Sequence, residues 1–178
     1  FVAEALDLPK ERIKVYGTMM GGGFGRRAFP DFAVEAAEVS REIGRPVKVI
    51  WSREDDTRHD YYRPSTYNEL RGGIDDQGNI KAWEHKLVAP SMAKSILPAM
   101  GALAPQWIPD WMIKAVIKGA GFLLESSDPT TSEGSVEMPY KIENIDVRHI
   151  FHDPGIPLGP WRSVGHSQNA FITESFID

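Results

Sequence analysis

An α+β fold is what the sequence predicts, from three observations. Residues 31–43 carry apolar side chains at helical spacing (Phe32, Ala36, Val39, Ile43). Several short segments alternate polar and apolar residues as half-buried strands do, where a doubly wound parallel sheet would show uniformly apolar ones. Two of these segments flank Asp75-Asp76-Gln77-Gly78-Asn79, a turn composition that predicts a hairpin. At 178 residues, 42% hydrophobic and 25% charged, the chain has the size and balance of one ordinary globular domain.

Taken in order, Phe1, Val2, Ala5 and Leu6 form a helical stub that Leu8-Pro9 ends. Arg12-Ile13-Lys14-Val15-Tyr16 alternates as a strand. The glycine-rich turn Gly21-Gly22-Gly23-Phe24-Gly25 then leads through Arg26-Arg27 to Pro30-Asp31 and a helix that Gly44 stops. Pro30 disfavours helical geometry at Phe29, so that helix is expected to open after the turn. Val47, Val49 and Trp51 alternate with Lys48, Ile50 and Ser52, a strand with one wetter face, and Glu54-Asp55-Asp56 reads as a solvated turn behind it. Thr66–Ile74 and Ile80–Val88 are the arms of the hairpin.

From about 89 to 120, Pro90, Pro98, Pro105 and Pro109 interrupt an apolar excursion in which only short helices are expected. Its Met92, Ile96, Leu97, Met100, Trp107, Trp111 and Met112 would cover a core, a subunit contact or a substrate route, core being the plainest reading. Residues 121–134 have loop chemistry, Ile145–Phe151 reads as a strand, Asp153–Pro160 as a Pro/Gly loop, and a helix starts near Ser167. The chain opens inside an apolar helical pattern and closes without a polar tail, and on that ground is expected to be an excerpt of a longer polypeptide.

Composition removes several function classes. With Cys 0 there is no disulfide, no thiolate metal or iron–sulfur site and no cysteine nucleophile within the chain. A net charge of -5 argues against a nucleic-acid partner, which would call for a basic surplus. Neither cytoplasm nor periplasm is favoured.

Two segments carry the chemistry. Glycines around Phe24 let the backbone approach a ligand closely and aim N–H groups at anionic oxygens; the alternative is a strained strand-to-helix turn. A Walker A loop would need Gly-Lys-Ser/Thr where this sequence has Gly25-Arg26-Arg27. Gly23, Gly25 and Ala28 match the dinucleotide pattern G-x-G-x-x-A, with Glu54, Asp55 and Asp56 beyond, but a helix delayed by Pro30 opposes that reading. In Gly159-Pro160-Trp161-Arg162-Ser163-Val164-Gly165-His166-Ser167-Gln168-Asn169, Arg162 could clamp a phosphate or oxo group, or could pair with a carboxylate beside a helix N-cap. Asn169 stands where a nucleophile elbow needs its last glycine. On a strand, His149 and His152 would face opposite ways, which disfavours a shared metal.

Together these two segments resemble the cofactor-contact segments of the molybdenum-binding large subunit in the xanthine dehydrogenase and aldehyde oxidase family, nearest the isoquinoline 1-oxidoreductase beta-subunit type. The resemblance implies a two-layer mixed sheet with packed helices. It also implies a molybdopterin cofactor carrying Mo, in its cytosine dinucleotide form, in an enzyme that hydroxylates N-heteroaromatics or oxidises aldehydes with water. Electrons would leave through 2Fe-2S clusters on a small partner subunit. By the same resemblance Gly22, Gly23, Phe24, Gly25 and Arg26 would approach the cofactor, Arg162, Ser163, Val164 and Gly165 would face the metal's oxygen ligands, and Gln168 would contact the pterin or its phosphates. The glutamate that xanthine dehydrogenases use to hold substrate falls at Ala28, which speaks against a purine substrate. The family's glutamate base is expected beyond Asp178, and a glutamine-bearing loop before Phe1. The excerpt alone is therefore expected to be inactive and, with apolar surface exposed, to self-associate. The alternatives are a nicotinamide-linked oxidoreductase segment and a non-enzymatic interaction domain using residues 89–120.

Overall fold

In the computed structural model, residues 1–105 and 107–178 are described. They fall into two units, Phe1–Tyr61 and Tyr62–Asp178.

In the first unit, helix α1 (Val2–Leu6) stops at Asp7, whose left-handed backbone turns the chain so that Leu8 N–H reaches Ala3 O at 2.9 Å. After a 3-10 turn at Lys10–Arg12, residues 13–20 form no strand. The alternation at 12–16 therefore misled: a strand needs a neighbour for its N–H and C=O groups, none of the described residues supplies one, and Val15 and Tyr16 stand exposed. The strand expected at 47–51 is likewise absent; instead Trp51 Nε1 donates to Glu35 Oε1 at 2.9 Å.

Helix α2 (Asp31–Ile43) opens just after Pro30 and ends at Gly44, where φ of 67° suits a residue without Cβ. Arg41 ties it to the first helix by donating to Ala5 O at 3.1 Å. The acidic run is the first turn of helix α3 (Arg53–His59), not a free turn. Ser52 Oγ accepts from Asp55 N–H, and the Asp55 carboxylate accepts from Ser52 N–H, a capping box in which Ser52 donors hold the carboxyl below its usual pKa.

In the second unit, β1 (Tyr67–Ile74) and β2 (Ile80–Ala89) make the expected hairpin, and β3 (Asn144–Phe151) runs parallel to β2, giving a mixed sheet of order β1-β2-β3. Asp75 builds the turn by accepting from the N–H groups of Gln77 and Asn79. The central strand alternates with period two: Trp83, His85, Leu87 and Ala89 are buried on one face.

Helices α4 (Met92–Gly101), α5 (Asp110–Ser126), α6 (Pro129–Ser132) and α7 (His166–Ile177) complete the unit. Phe176 of α7 meets Trp83 edge-on at 5.1 Å, and Gly72 leaves room for that ring, since a Cβ there would come within 3.2 Å of it. At the other end, α4 lies against α5 because Gly101 has no Cβ to strike the Ile117 side chain.

Helix α5, at 17 residues, is longer than the short pieces expected and absorbs the start of the 121–134 segment read as loop. All four prolines of the excursion precede residue 110, and Pro109 caps the helix it was expected to interrupt. Met92 is buried, but Trp107 and Trp111 are 81% and 68% exposed, so the excursion is not simply core. No helix among the described residues is long and apolar enough to cross a membrane.

Candidate functional site

The glycine segment lies in the first unit. Gly22 has φ of 137°, Phe24 49° and Gly25 91°, so the chain is left-handed at three of four successive positions. A Cβ on Gly22 would sit 2.5 Å from the Phe24 ring. Phe24 itself pays for a conformation that L-residues avoid and is still mostly exposed, so its own burial does not hold it there.

The residues immediately downstream are anchored. Arg26 opens a 3-10 turn (Arg26–Ala28) and is only 17% exposed. Its Nη1 and Nη2 fork onto the two Asp31 oxygens at 2.9 and 2.7 Å, Nε donates to Asp60, and its plane lies over the Tyr61 ring at 4.9 Å. Bonding to Asp31, opposed by burial and reinforced by Asp60, raises Arg26 further above the ordinary guanidinium range. Behind it Phe29 is buried against Tyr61 at 4.7 Å. Arg26, expected at the cofactor, is thus spent inside its own unit. Arg27 has no carboxylate partner among the described residues and rests over Phe32 at 5.1 Å.

The second segment lies in the other unit. Tyr62 and Leu158 form a parallel bridge, with Tyr62 N–H donating to Pro157 O at 2.8 Å. Arg63 Nη2 and Ser167 Oγ both donate to the Arg162 carbonyl, at 2.9 and 3.3 Å, while the exposed Arg162 guanidinium has no ion pair among the described residues. The expected alternative, an Arg paired beside a helix N-cap, is not what the described residues contain. Ser163 and Val164 stand at φ of 73° and 41°; for a β-branched residue such as Val164 that is a marked outlier. Val164 N–H is already given to Trp161 O at 3.2 Å.

Gly165 serves packing: a Cβ there would collide with the Thr130 carbonyl oxygen. Gln168 places Nε2 at 3.5 Å from Met92 Sδ and leaves a buried Oε1 with no partner among the described residues.

The scaffold under this segment is a buried carboxylate that the sequence pattern did not single out. Asp128 is 1% exposed; its Oδ2 accepts from Ser91 Oγ (2.6 Å), Ala93 N–H (3.0 Å) and Thr131 Oγ1 (3.0 Å), and its Oδ1 from Thr130 N–H (2.9 Å) and Oγ1 (2.6 Å). Burial pushes its pKa up, but the Ser91, Thr130, Ala93 and Thr131 donors outweigh burial and hold it below the usual carboxylate range. Asn169 of α7 ties the same region together, donating Nδ2 to the carbonyls of Thr131 and Glu133 at 2.8 Å each. The signal that could have found Asp128 is local: a side-chain acceptor followed by Pro129 at the first helical position.

The remaining sequence candidates resolve plainly. His149 Nε2 lies 3.0 Å from Ala89 O and His152 falls past the end of β3. The dinucleotide alternative required the helix to open at the glycines, and α2 opens after Pro30.

The family model for the molybdopterin cofactor-binding domain matches residues 1–101, more than half of the chain and the whole glycine segment. The chain belongs to this family. As a molybdopterin cofactor-binding domain it is 28% identical, over 100% of its length, to the isoquinoline 1-oxidoreductase subunit beta of Brevundimonas diminuta, of which it covers 20%. It is 27% identical over 99% of its length to a probable xanthine dehydrogenase subunit of Bacillus subtilis, again covering 20%. It is 33% identical over 49% of its length to the membrane-bound aldehyde dehydrogenase [pyrroloquinoline-quinone] of Gluconacetobacter polyoxogenes, covering 12%. The domain thus spans a fifth or less of these relatives.

The residues fit such a group. Each unit offers a left-handed segment, one with glycines that admit close backbone approach, the other with an exposed arginine that has no ion pair, and a buried glutamine oxygen that has no partner, among the described residues.

Proposed function

We propose that this domain forms part of a molybdenum hydroxylase large subunit that holds molybdopterin in its cytosine dinucleotide form. The whole protein would hydroxylate N-heteroaromatics or oxidise aldehydes using water, passing electrons to 2Fe-2S clusters on a small partner subunit. The observation that carries this reading is the family match over the residues that contain the strained glycine segment.

When bound, the cofactor supplies the two-electron chemistry, and the chain's own residues bind and orient it. Gly22, Gly23 and Gly25, without Cβ atoms, would let the backbone come within contact distance of the cofactor. The Phe24 ring offers an apolar wall against water. Arg162 brings a permanent positive charge for phosphate or oxo oxygens, and Gln168 carries a buried Oε1 with no partner among the described residues, an acceptor that a pterin N–H would satisfy once the side chain turns toward it. No described residue is assigned as the base, and turnover by the 178-residue chain alone is not expected.

The test is cofactor analysis of the full-length protein: metal content, fluorescence of the oxidised pterin and the nucleotide released by hydrolysis. Molybdenum, pterin and CMP in equal amounts are expected. GMP, or a pterin without nucleotide, would overturn the cytosine form. A quinone without pterin would overturn the cofactor assignment and favour the chemistry in the name of the Gluconacetobacter relative. Oxidation of a heteroaromatic or an aldehyde in water labelled with heavy oxygen should place the label in the product; unlabelled product would contradict water as the oxygen source.

A further inference from the structure

The tandem arginines behind the glycine segment divide their work. Arg27 carries no carboxylate partner among the described residues, whereas every face of the Arg26 guanidinium is used. The fork goes to Asp31 in the first turn of α2, the Nε side to Asp60 at the end of α3, and the flat face to Tyr61. Asp60 is itself held by the chain, its Oδ1 accepting from Tyr61 N–H at 2.7 Å. The pair closes a loop of 34 residues, so it links the glycine segment to a distant part of the same unit.

The residue just before Arg26 is Gly25, at φ of 91°, and the one before that is the exposed, left-handed Phe24. Among the described residues, two backbone bonds brace this stretch, Arg27 N–H to Gly23 O, long at 3.4 Å, and Ala28 N–H to Gly25 O at 2.9 Å, and both lie at its downstream end. Glycine-rich backbone held by so little would sample many conformations. An arginine fixed on three sides one residue later removes most of that freedom.

We propose that Arg26 is a positioning residue whose simultaneous pairs to Asp31 and Asp60 preform the Gly21–Gly25 segment in its left-handed shape before any ligand arrives. The segment then meets its cofactor without an ordering cost, and occupancy is gained through slower release. Arg26 acts through the backbone next to it and is not itself a contact. The occupancy part rests on the reading of this segment as a cofactor contact; the preforming part does not.

The experiment uses the full-length protein as wild type, Arg26→Lys, Arg26→Gln and Asp60→Asn, with two readouts. The first is amide exchange of the peptide covering residues 20–28 in cofactor-free protein. Exchange is expected to rise about tenfold in Arg26→Gln and Asp60→Asn, and less in Arg26→Lys, which keeps the charge but loses the fork; peptides from β1 and β2 should not change. The second is pterin retained after gel filtration, expected to fall in the same order. Should Arg26→Gln not fold, Arg26→Lys and Asp60→Asn still decide the matter. Unchanged exchange at residues 20–28 in folded variants overturns the proposal. Raised exchange with undiminished pterin overturns its occupancy part. Wild-type protein devoid of pterin would instead sink the cofactor reading and leave the exchange result standing.

Discussion

The Gly21–Gly25 and Ser163–Val164 segments both run through left-handed backbone, and they reach it by opposite chemistry. The first uses glycine at two of its three left-handed positions and is fastened by a partly exposed ion-pair latch, Arg26 with Asp31 and Asp60. The second forces a serine and a valine into the same region and leans on a buried hydrogen-bonded hub around Asp128 and Asn169. Shape in the first segment is therefore limited mainly by the freedom of Gly22 and Gly25, with strain at Phe24 alone, and in the second by strain at both residues. Substitutions that remove freedom or strain should accordingly have opposite signs in the two places.

The largest effect is expected at the hub. Asp128→Ala takes the acceptor from the buried Ser91 hydroxyl and the part-buried Thr130 hydroxyl, leaves Thr131 only its long bond to Pro90 O, and should cost about 3 kcal/mol, read as a fall in the denaturant midpoint. A loss no larger than that of a surface substitution would show that the hub does not carry the second segment. Next, Gly165→Ala drives a Cβ onto the Thr130 carbonyl, a backbone atom that cannot move aside, and should cost nearly as much by the same measurement.

The sign test comes third. Gly25→Ala adds a Cβ at positive φ and should destabilise by about 1–2 kcal/mol, whereas Val164→Gly relieves an outlier and should be neutral or stabilising by about 1 kcal/mol. Thermal unfolding of the two variants side by side checks it, and destabilisation by both would erase the distinction between the segments.

The smallest effect is on pH. Burial lowers the pKa of His85 from 6.5, so the folded state prefers the neutral ring; its contribution is complete above pH 6.5 and is lost as pH falls through the depressed folded value. Asp128, held below 3.8, likewise contributes fully above that pH and loses its contribution as pH drops through its folded value. Stability should begin to decline below pH 6.5 and decline further below pH 3.8, with His85→Gln removing only the part that begins at the higher pH.

Much of this was legible in the sequence where the cause is local. The hairpin followed from Asp75 and Asn79, α2 from Pro30 and Gly44, and β3 and α7 from short-range pattern alone. The strands expected at 12–16 and 47–51 failed because alternation reports a pleated backbone only if something pairs with it. Helix α5 was expected to be cut short by prolines that in fact stop at its cap. Within the candidate site, the glycine-rich turn was legible as backbone, with Gly22 and Gly25 at positive φ, but the side-chain partners around it were not. Arg26 was expected at the cofactor from the resemblance alone, and its pair with Asp60, 34 residues on, was out of reach of local pattern because it forms only once α3 has folded. Asp128 as a helix cap was readable from Pro129 behind it, but its place as a hub was not, because Ser91 and Asp128 are 37 residues apart.

The central claim is that these two strained segments are parts of one cofactor-binding protein. Its most direct test is the content of purified full-length protein carrying either Gly25→Val or Arg162→Gln beside wild type, assayed for molybdenum and pterin. The account predicts a loaded wild type and a marked loss of both molybdenum and pterin in each variant, with folding retained by circular dichroism. Variants as fully loaded as wild type would contradict it.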